Sequence, residues 1–231
     1  DYFFSRFDQG DQDYAFTDND TACFYCDWEG RSDKSRVEDT GYTDGNGRLV
    51  FTVPTTFTDE KESQVFNVNV DVKDASTQEM VWTSMQFVVH KSDTYVGIAS
   101  NVYLIKKNES ASFPIITTNL LGNPVPNISG DVSLFKRTYT TIKKKGVDGF
   151  FYYDSSFDDQ LIKNVNFVSG SDGRTQVAFT IADGGDYHVV ARVRDNKQHE
   201  AKAAANITVS SEQYVSWGRE NNDRMEIIPD K

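Results

Sequence analysis

The chain is poor in the residues on which most site chemistry depends. Its 231 residues include two cysteines, three histidines and five prolines. The histidines are His90, His188 and His199. His90 and His188 are predicted on the solvent side of strands, and His199 in a turn. No serine stands in a nucleophile-elbow motif, and no glycine-rich phosphate loop is present. No convergent catalytic set can be assembled, so the chain is read as no enzyme, with no cofactor and no metal. Asp and Glu are plentiful, but carboxylates without a recognisable cleft read as surface groups that keep a domain soluble. No run of eighteen apolar residues exists, so no helix is expected to span a membrane. Asp1 is followed by no signal peptide. The sequence reads as a mature segment or an excised fragment.

Positive charge is also scarce, with 24 Lys and Arg against 35 Asp and Glu and a net charge of −11. A nucleic-acid binder needs a clustered basic face to neutralise phosphates. The one basic cluster, Lys143-Lys144-Lys145, reads as a solvated loop between strands. Acid is concentrated early, at Asp8, Asp11, Asp13, Asp18 and Asp20. Clustered carboxylates can hold calcium, but the EF-hand spacing is missing. The run reads as a solvated loop.

Cys23 and Cys26 form a Cys-x-x-Cys pair with several readings. Zinc needs two further ligands, and the nearest histidine is His90. Redox chemistry needs a helix N-terminus under the first cysteine. The neighbours Phe24, Tyr25 and Trp28 look like a strand instead. A local disulfide in an oxidising compartment fits these neighbours best, and two partly buried thiols are the remaining reading. Asn19, Asn108, Asn127 and Asn206 lie in glycosylation-type sequons, which matter only in a eukaryotic secretory pathway.

What is abundant is strand-forming sequence. Aromatics make up 13% of the chain and hydrophobic residues 38%, beside 26% charged residues. That mixture suits short strands with one buried and one wet face. The pattern also occurs twice. Asp44-Gly45-Asn46-Gly47 precedes Leu49, Phe51 and Val53, as Ser171-Asp172-Gly173 precedes Val177, Phe179 and Ile181. Val68, Val70 and Val72 correspond to Val189, Ala191 and Val193. Val81 to Val89 corresponds to Ala201 to Val209. A repeat of three strands and two turns marks two copies of one β-module. The expected fold is all-β, with tandem fibronectin-III- or immunoglobulin-like antiparallel β-sandwiches.

The expected domains are a sandwich over 1–92 whose N-terminal strands are incomplete, a second over 95–217, and the start of a following module or linker over 218–231. Strands are expected at 49–53, 66–73 and 80–90 in the first, and at 102–107, 112–119, 131–139, 161–168, 174–181, 186–195 and 200–210 in the second. Thr140 to Gly149 is expected to be a basic loop, and Phe150 to Tyr153 a short aromatic strand. Val70, Phe87, Val193 and Ile207 are expected in the cores, with Asn69, Gln86, Arg192 and Asn206 facing solvent. Tyr214 to Trp217 and Met225 to Ile228 read as further strands.

Several of these motifs, in order, resemble one family. Thr43-Asp44-Gly45-Asn46-Gly47 with Leu49-Val50-Phe51 resembles the turn and strand of macroglobulin modules. Tyr95-Val96-Gly97-Ile98 resembles the opening of the next module in bacterial alpha-2-macroglobulins. Gly122-Asn123-Pro124-Val125, Ser171-Asp172-Gly173 and Gly185-Asp186-Tyr187 resemble later turns of that module. Met225 to Lys231 resembles the first strand of the module that follows. The resemblance implies two consecutive macroglobulin modules upstream of the bait region. They would be scaffold parts of a broad-spectrum protease trap in the periplasm or cell envelope, or secreted. Cleavage of a bait segment closes such a trap, and in many members a thioester then captures the protease. The implied partners are neighbouring modules and, through the parent protein, target proteases. A membrane would be reached only through a lipid anchor of the parent. No thioester motif or bait segment is recognisable here. Two rival readings share the fold: modules of a surface adhesin or stalk, and a carbohydrate-binding module using Tyr2, Phe3, Phe4 and Trp28.

Overall fold

The computed structural model describes residues 2–6, 13–18, 37–53, 63–145, 149 and 151–211. Cys23, Cys26, Trp28 and everything beyond Ser211 lie outside the described residues. So do the strands expected at Tyr214–Trp217 and Met225–Ile228.

Eleven strands form three sheets, and no helix occurs among the described residues. The all-β reading is correct. The first sheet holds β1 (Tyr2–Arg6), β2 (Gln64–Lys73) and β3 (Met80–Val89), in the order β1-β2-β3. β2 and β3 form a hairpin closed by Asp74, whose carboxylate accepts backbone hydrogen bonds from Ser76 and Thr77. A hydrogen bond from the Ser76 hydroxyl, joined by those backbone bonds, brings the carboxyl down to about 2. Alternation puts Phe66, Val68, Val70 and Val72 on one face of β2, opposite Phe87, Met85, Thr83 and Val81 of β3. Phe66 and Val68 are buried, and Phe66 stacks on Phe87 with ring centroids 5.2 Å apart. Burial then fades along the hairpin. Val70 and Phe87 are half-buried, and Val72, Val81 and Met85 are exposed. The face was therefore read correctly, with its buried end at Phe66 rather than at Val70. Leu49 to Val53 forms no strand, contrary to expectation, and Leu49, Val50 and Phe51 are exposed. The apolar alternation there has no sheet partner among the described residues.

The remaining strands build one sandwich. Its smaller sheet is β4 (Tyr95–Ile98), β6 (Ser110–Thr118) and β9 (Arg174–Thr180). Its larger sheet is β5 (Leu104–Lys106), β11 (Glu200–Ser210), β10 (Gly185–Arg194), β7 (Ser129–Lys145) and β8 (Phe151–Val168), in that order. All pairings are antiparallel except β5 with β11. Period-two alternation on both sheets fills the space between them. Val96, Ile98, Phe113, Ile115, Val177 and Phe179 come from one side. Val132, Leu134, Val189, Ala191, Val193, Ala203, Ile207 and Val209 come from the other. Val193 and Ile207 are buried as expected, and Asn206 and Gln86 face outward. Asn69 and Arg192 are half-buried.

Local chemistry sets the ends of these strands. Ala99 donates to the Pro114 carbonyl at 2.9 Å, so the N–H that Pro114 lacks is the one that would return the bond. The β4–β6 ladder stops there. Two of the turns named above pack on each other. Gly173, at φ 74°, abuts Pro124 and Val125, and an added Cβ would meet Pro124 Cβ at 2.8 Å. The buried Thr117 hydroxyl donates to the Val125 carbonyl at 2.6 Å and lies 2.9 Å from Ser169 Oγ. These turns are thus structural. Asn108 and Asn127 have φ of 67° and 58°, the left-handed geometry that asparagine tolerates in turns.

The expected basic loop is a strand. β7 runs unbroken through Lys145, and β8 begins at Phe151, so Thr140 to Lys145 pairs with Phe151 to Ser156. β10 pairs with β7 only from Gly130 to Arg137. Beyond Arg137 the hairpin leaves the sandwich as a two-stranded ribbon.

Candidate functional site

The three histidines lie in three separate hydrogen-bonded groups: His188 beneath a short N-terminal strap on the sandwich, His90 at the end of β3, and His199 in the turn after β10. The strap is residues 13–18. Ala15 exchanges two backbone hydrogen bonds with Ile98 of β4, both 2.9 Å. Thr17 accepts from the Ala204 amide of β11 at 3.1 Å. The strap therefore bridges the small sheet and the large one along the side where β4 and β11 come together. Phe16 is buried against Tyr95 and Ile116. It sits over Gly97, where an added Cβ would lie 2.8 Å from the ring. Glycine is needed there because two surfaces meet at backbone distance.

Asp18 ends the strap in a buried charge cluster. Its carboxylate lies 2.5 Å from Lys202 Nζ and 3.2 Å from His188 Nε2. His188 Nδ1 lies 2.7 Å from Asn206 Oδ1. His188 is buried, which corrects its expected solvent position. It does point to the outer face of β10, but the strap covers that face. Burial opposes charge on Asp18. Hydrogen bonds and charge from His188 and Lys202 outweigh it and hold the carboxyl well below the usual range.

His90 lies at the end of β3. Its Nδ1 is 2.7 Å from the Tyr95 hydroxyl, which is 2.6 Å from Ser63 Oγ. Ser63 also accepts from the Lys91 amide at 3.0 Å. Burial pushes the Tyr95 phenol up, against a hydrogen bond with Ser63. Burial pushes the His90 imidazole down, against the charge of Asp93. His199 lies in its expected turn, with Nδ1 3.0 Å from Asp195 Oδ2. Asp195 organises that turn. It accepts from the Lys197 and His199 amides at 2.8 and 2.9 Å, and from the Asp93 amide of the connecting segment at 3.1 Å. Burial raises this carboxyl, but those backbone bonds dominate and bring it to about 2.

These groups are held against one another by hydrogen bonds and ion pairs. Tyr95 stands between Ser63 and His90, so no serine–histidine pair forms there. Among the described residues no group of three or more His, Cys, Asp or Glu could hold a metal. The charged groups satisfy one another and tie three pieces of chain together. Sequence reasoning missed Asp18, Ser63, Tyr95 and Asp195. Only Tyr95 and Gly97 carried a signal, in the Tyr-Val-Gly-Ile motif. The cysteine pair and Trp28 lie outside the described residues. Tyr2, Phe3 and Phe4 fall in β1.

No family model matches the sequence, and no curated protein matches it at a significant level. Solved structures do match. The chain is similar to native E. coli alpha-2-macroglobulin at 14% identity and a TM-score of 0.64, over 90% of this chain and 13% of that one. It is similar to E. coli alpha-2-macroglobulin activated by porcine elastase at 13% identity and a TM-score of 0.63, over 91% and 18%. Salmonella alpha-2-macroglobulin reacted with methylamine matches at 13% identity and a TM-score of 0.62, over 90% and 14%. The chain spans less than a fifth of the length of these proteins and has the fold of a segment of bacterial alpha-2-macroglobulins.

Proposed function

We propose that this chain is a scaffold segment, two consecutive macroglobulin modules, of a bacterial alpha-2-macroglobulin-like protease trap in the periplasm or cell envelope. The observation that carries this reading is the fold match over nine-tenths of the chain, to a small part of much longer proteins. The E. coli protein was matched both in an elastase-activated and in a trypsin-activated form. In the parent protein the segment would hold bait-bearing and capturing parts at set distances and move as rigid bodies when the bait is cut. The cluster of Asp18, His188 and Lys202 suits that task, because ionic contacts fix geometry without supplying reactive groups. The exposed row of Val72, Val81 and Met85 suits burial against a neighbouring module.

A scaffold segment does not inhibit by itself. The isolated 231-residue chain is expected to leave a panel of endoproteases fully active on a protein substrate, and to show no hydrolase activity. Saturable, stoichiometric inhibition by the isolated chain would overturn the proposal.

A further inference from the structure

The hairpins β2–β3 and β10–β11 are corresponding parts of the repeat, and both close with a turn opened by an aspartate, Asp74 or Asp195. Each aspartate donates its amide across the turn, to the Glu79 carbonyl at 2.9 Å or the His199 carbonyl at 3.0 Å. Each accepts at its own carbonyl from a glutamine amide at 3.0 Å, and those glutamines, Gln78 and Gln198, have φ of 64° and 66°. Each turns carboxylate Oδ1 inward to two turn amides, those of Ser76 and Thr77 or of Lys197 and His199. This is the Asx geometry that short polar side chains favour.

The two turns differ in what reaches them from outside. Asp195 Oδ2 accepts the Asp93 amide at 3.1 Å. The Ser92 hydroxyl lies 3.4 Å from the His199 carbonyl, and Lys197 pairs with Asp93 at 3.3 Å. The connecting segment is thus seated on the turn, and it delivers β4 against β11. Ala201 there packs on the cluster of Phe16, Tyr95 and Ile116, and Val193 is only 1% exposed. Asp74 bonds to nothing beyond its own turn among the described residues. Val72, which corresponds to Val193, is 48% exposed, and Val81, which corresponds to Ala201, is exposed as well. The first hairpin therefore presents, uncovered, the surface on which the second seats its connecting segment.

We infer that the Asp74 end of the first hairpin is the acceptor for a connecting segment of the Asp93–Ile98 kind, supplied by another part of a longer protein. The occupant is an extended strand with a free amide two residues ahead of an aromatic side chain. Asp74 Oδ2 takes that amide in a charge-assisted hydrogen bond, and Val72 and Val81 take the apolar side chains. A second copy of this chain does not supply the strand, because its own segment is engaged on Asp195. The inference rests on the reading of the chain as a segment of a longer protein.

The test titrates the full 231-residue chain with a synthetic peptide of residues 91–99, acetylated and amidated at its ends, and follows backbone amide shifts by NMR. Saturable binding is expected, with the shifts at Ser76, Thr77 and Val81. Methylating the peptide nitrogen of Asp93 removes the donor and needs no protein variant. That peptide should bind at least about tenfold more weakly. Asp74→Asn keeps an acceptor for the turn amides but loses the charge and the second acceptor. It should weaken binding to a similar degree, with an unchanged unfolding midpoint. Absence of saturable binding, equal binding of the methylated peptide, or shifts confined to the turn at Asp195 would overturn the inference. Dimerisation of the chain through the same residues would do so too, since a second copy would then be the occupant. Peptide binding reports on the acceptor alone, so a longer protein that binds the peptide but traps no protease would count against the trap and not against this site.

Discussion

Truncating Ile207 to alanine is expected to lower the unfolding free energy by about 3 kcal/mol, whereas truncating Phe87 should cost only about 1–2 kcal/mol. The contrast follows from where the apolar surface is buried. Ile207 is 2% exposed and sits between two sheets, packed in one continuous core. Its loss removes transfer energy and leaves a cavity that the rigid sheets cannot close. Phe87 is the larger side chain, but it is half-buried and has one strong partner, Phe66. Urea unfolding with an unchanged denaturant slope would measure both changes. Equal losses at the two positions would mean that the first sheet has a sealed core of its own, contrary to the exposure of Val72, Val81 and Met85.

Replacing Asp18 with alanine is expected to cost about 3 kcal/mol, more than any exposed carboxylate. Removing one member of a buried charge cluster leaves the others desolvated and unpaired, and typical losses are about 3–5 kcal/mol. Lys202 is a quarter exposed, so the lower end applies. Glu79→Ala, on an exposed turn, should stay within about 0.5 kcal/mol. The strap should also loosen, so amide exchange at Ala15 and Ala204 should quicken far more than at Val189. Acid should act on the same region. The Asp18 carboxyl is lower in the folded state than its ordinary value, so its contribution is present above that value and lost as pH falls through the lowered one. His90 acts earlier. Its folded value lies below 6.5, so the unfolded chain takes up a proton first. Stability at the His90–Tyr95 contact should therefore fall as pH drops below about 6.5. A protection factor around Tyr95, taken relative to the intrinsic exchange rate at each pH, that stays constant between pH 7 and 5 would contradict this.

What could be read from the sequence depended on whether a strand has one buried face. β9, β10 and β11 alternate cleanly because a core lies on one side, and Val193 and Ile207 were placed without structure. The ribbon was misread for the opposite reason. From Thr138 outward neither face meets the sandwich core among the described residues, so Thr140 to Lys145 shows no period, and its polar residues look like a loop. Leu49 to Val53 failed in the other direction, since alternation alone does not provide a partner strand. The strap was illegible because its contacts are remote. Asp18 and Lys202 are 184 positions apart, and nothing local distinguishes Asp18 from the other acids near the N-terminus. The solvent-side assignment of His188 had the correct face of β10 but lacked the segment that covers it.

The proposed role is tested most directly in any longer protein that carries this segment, by adding an endoprotease and following two substrates in parallel. A trap encloses its target without touching the catalytic groups. The account therefore predicts that cleavage of a small chromogenic peptide persists while cleavage of a large protein substrate is lost, together with faster migration of the complex on a native gel. Loss of both activities would indicate an active-site inhibitor. Retention of both, with no change in migration, would show that the segment serves a protein that traps nothing.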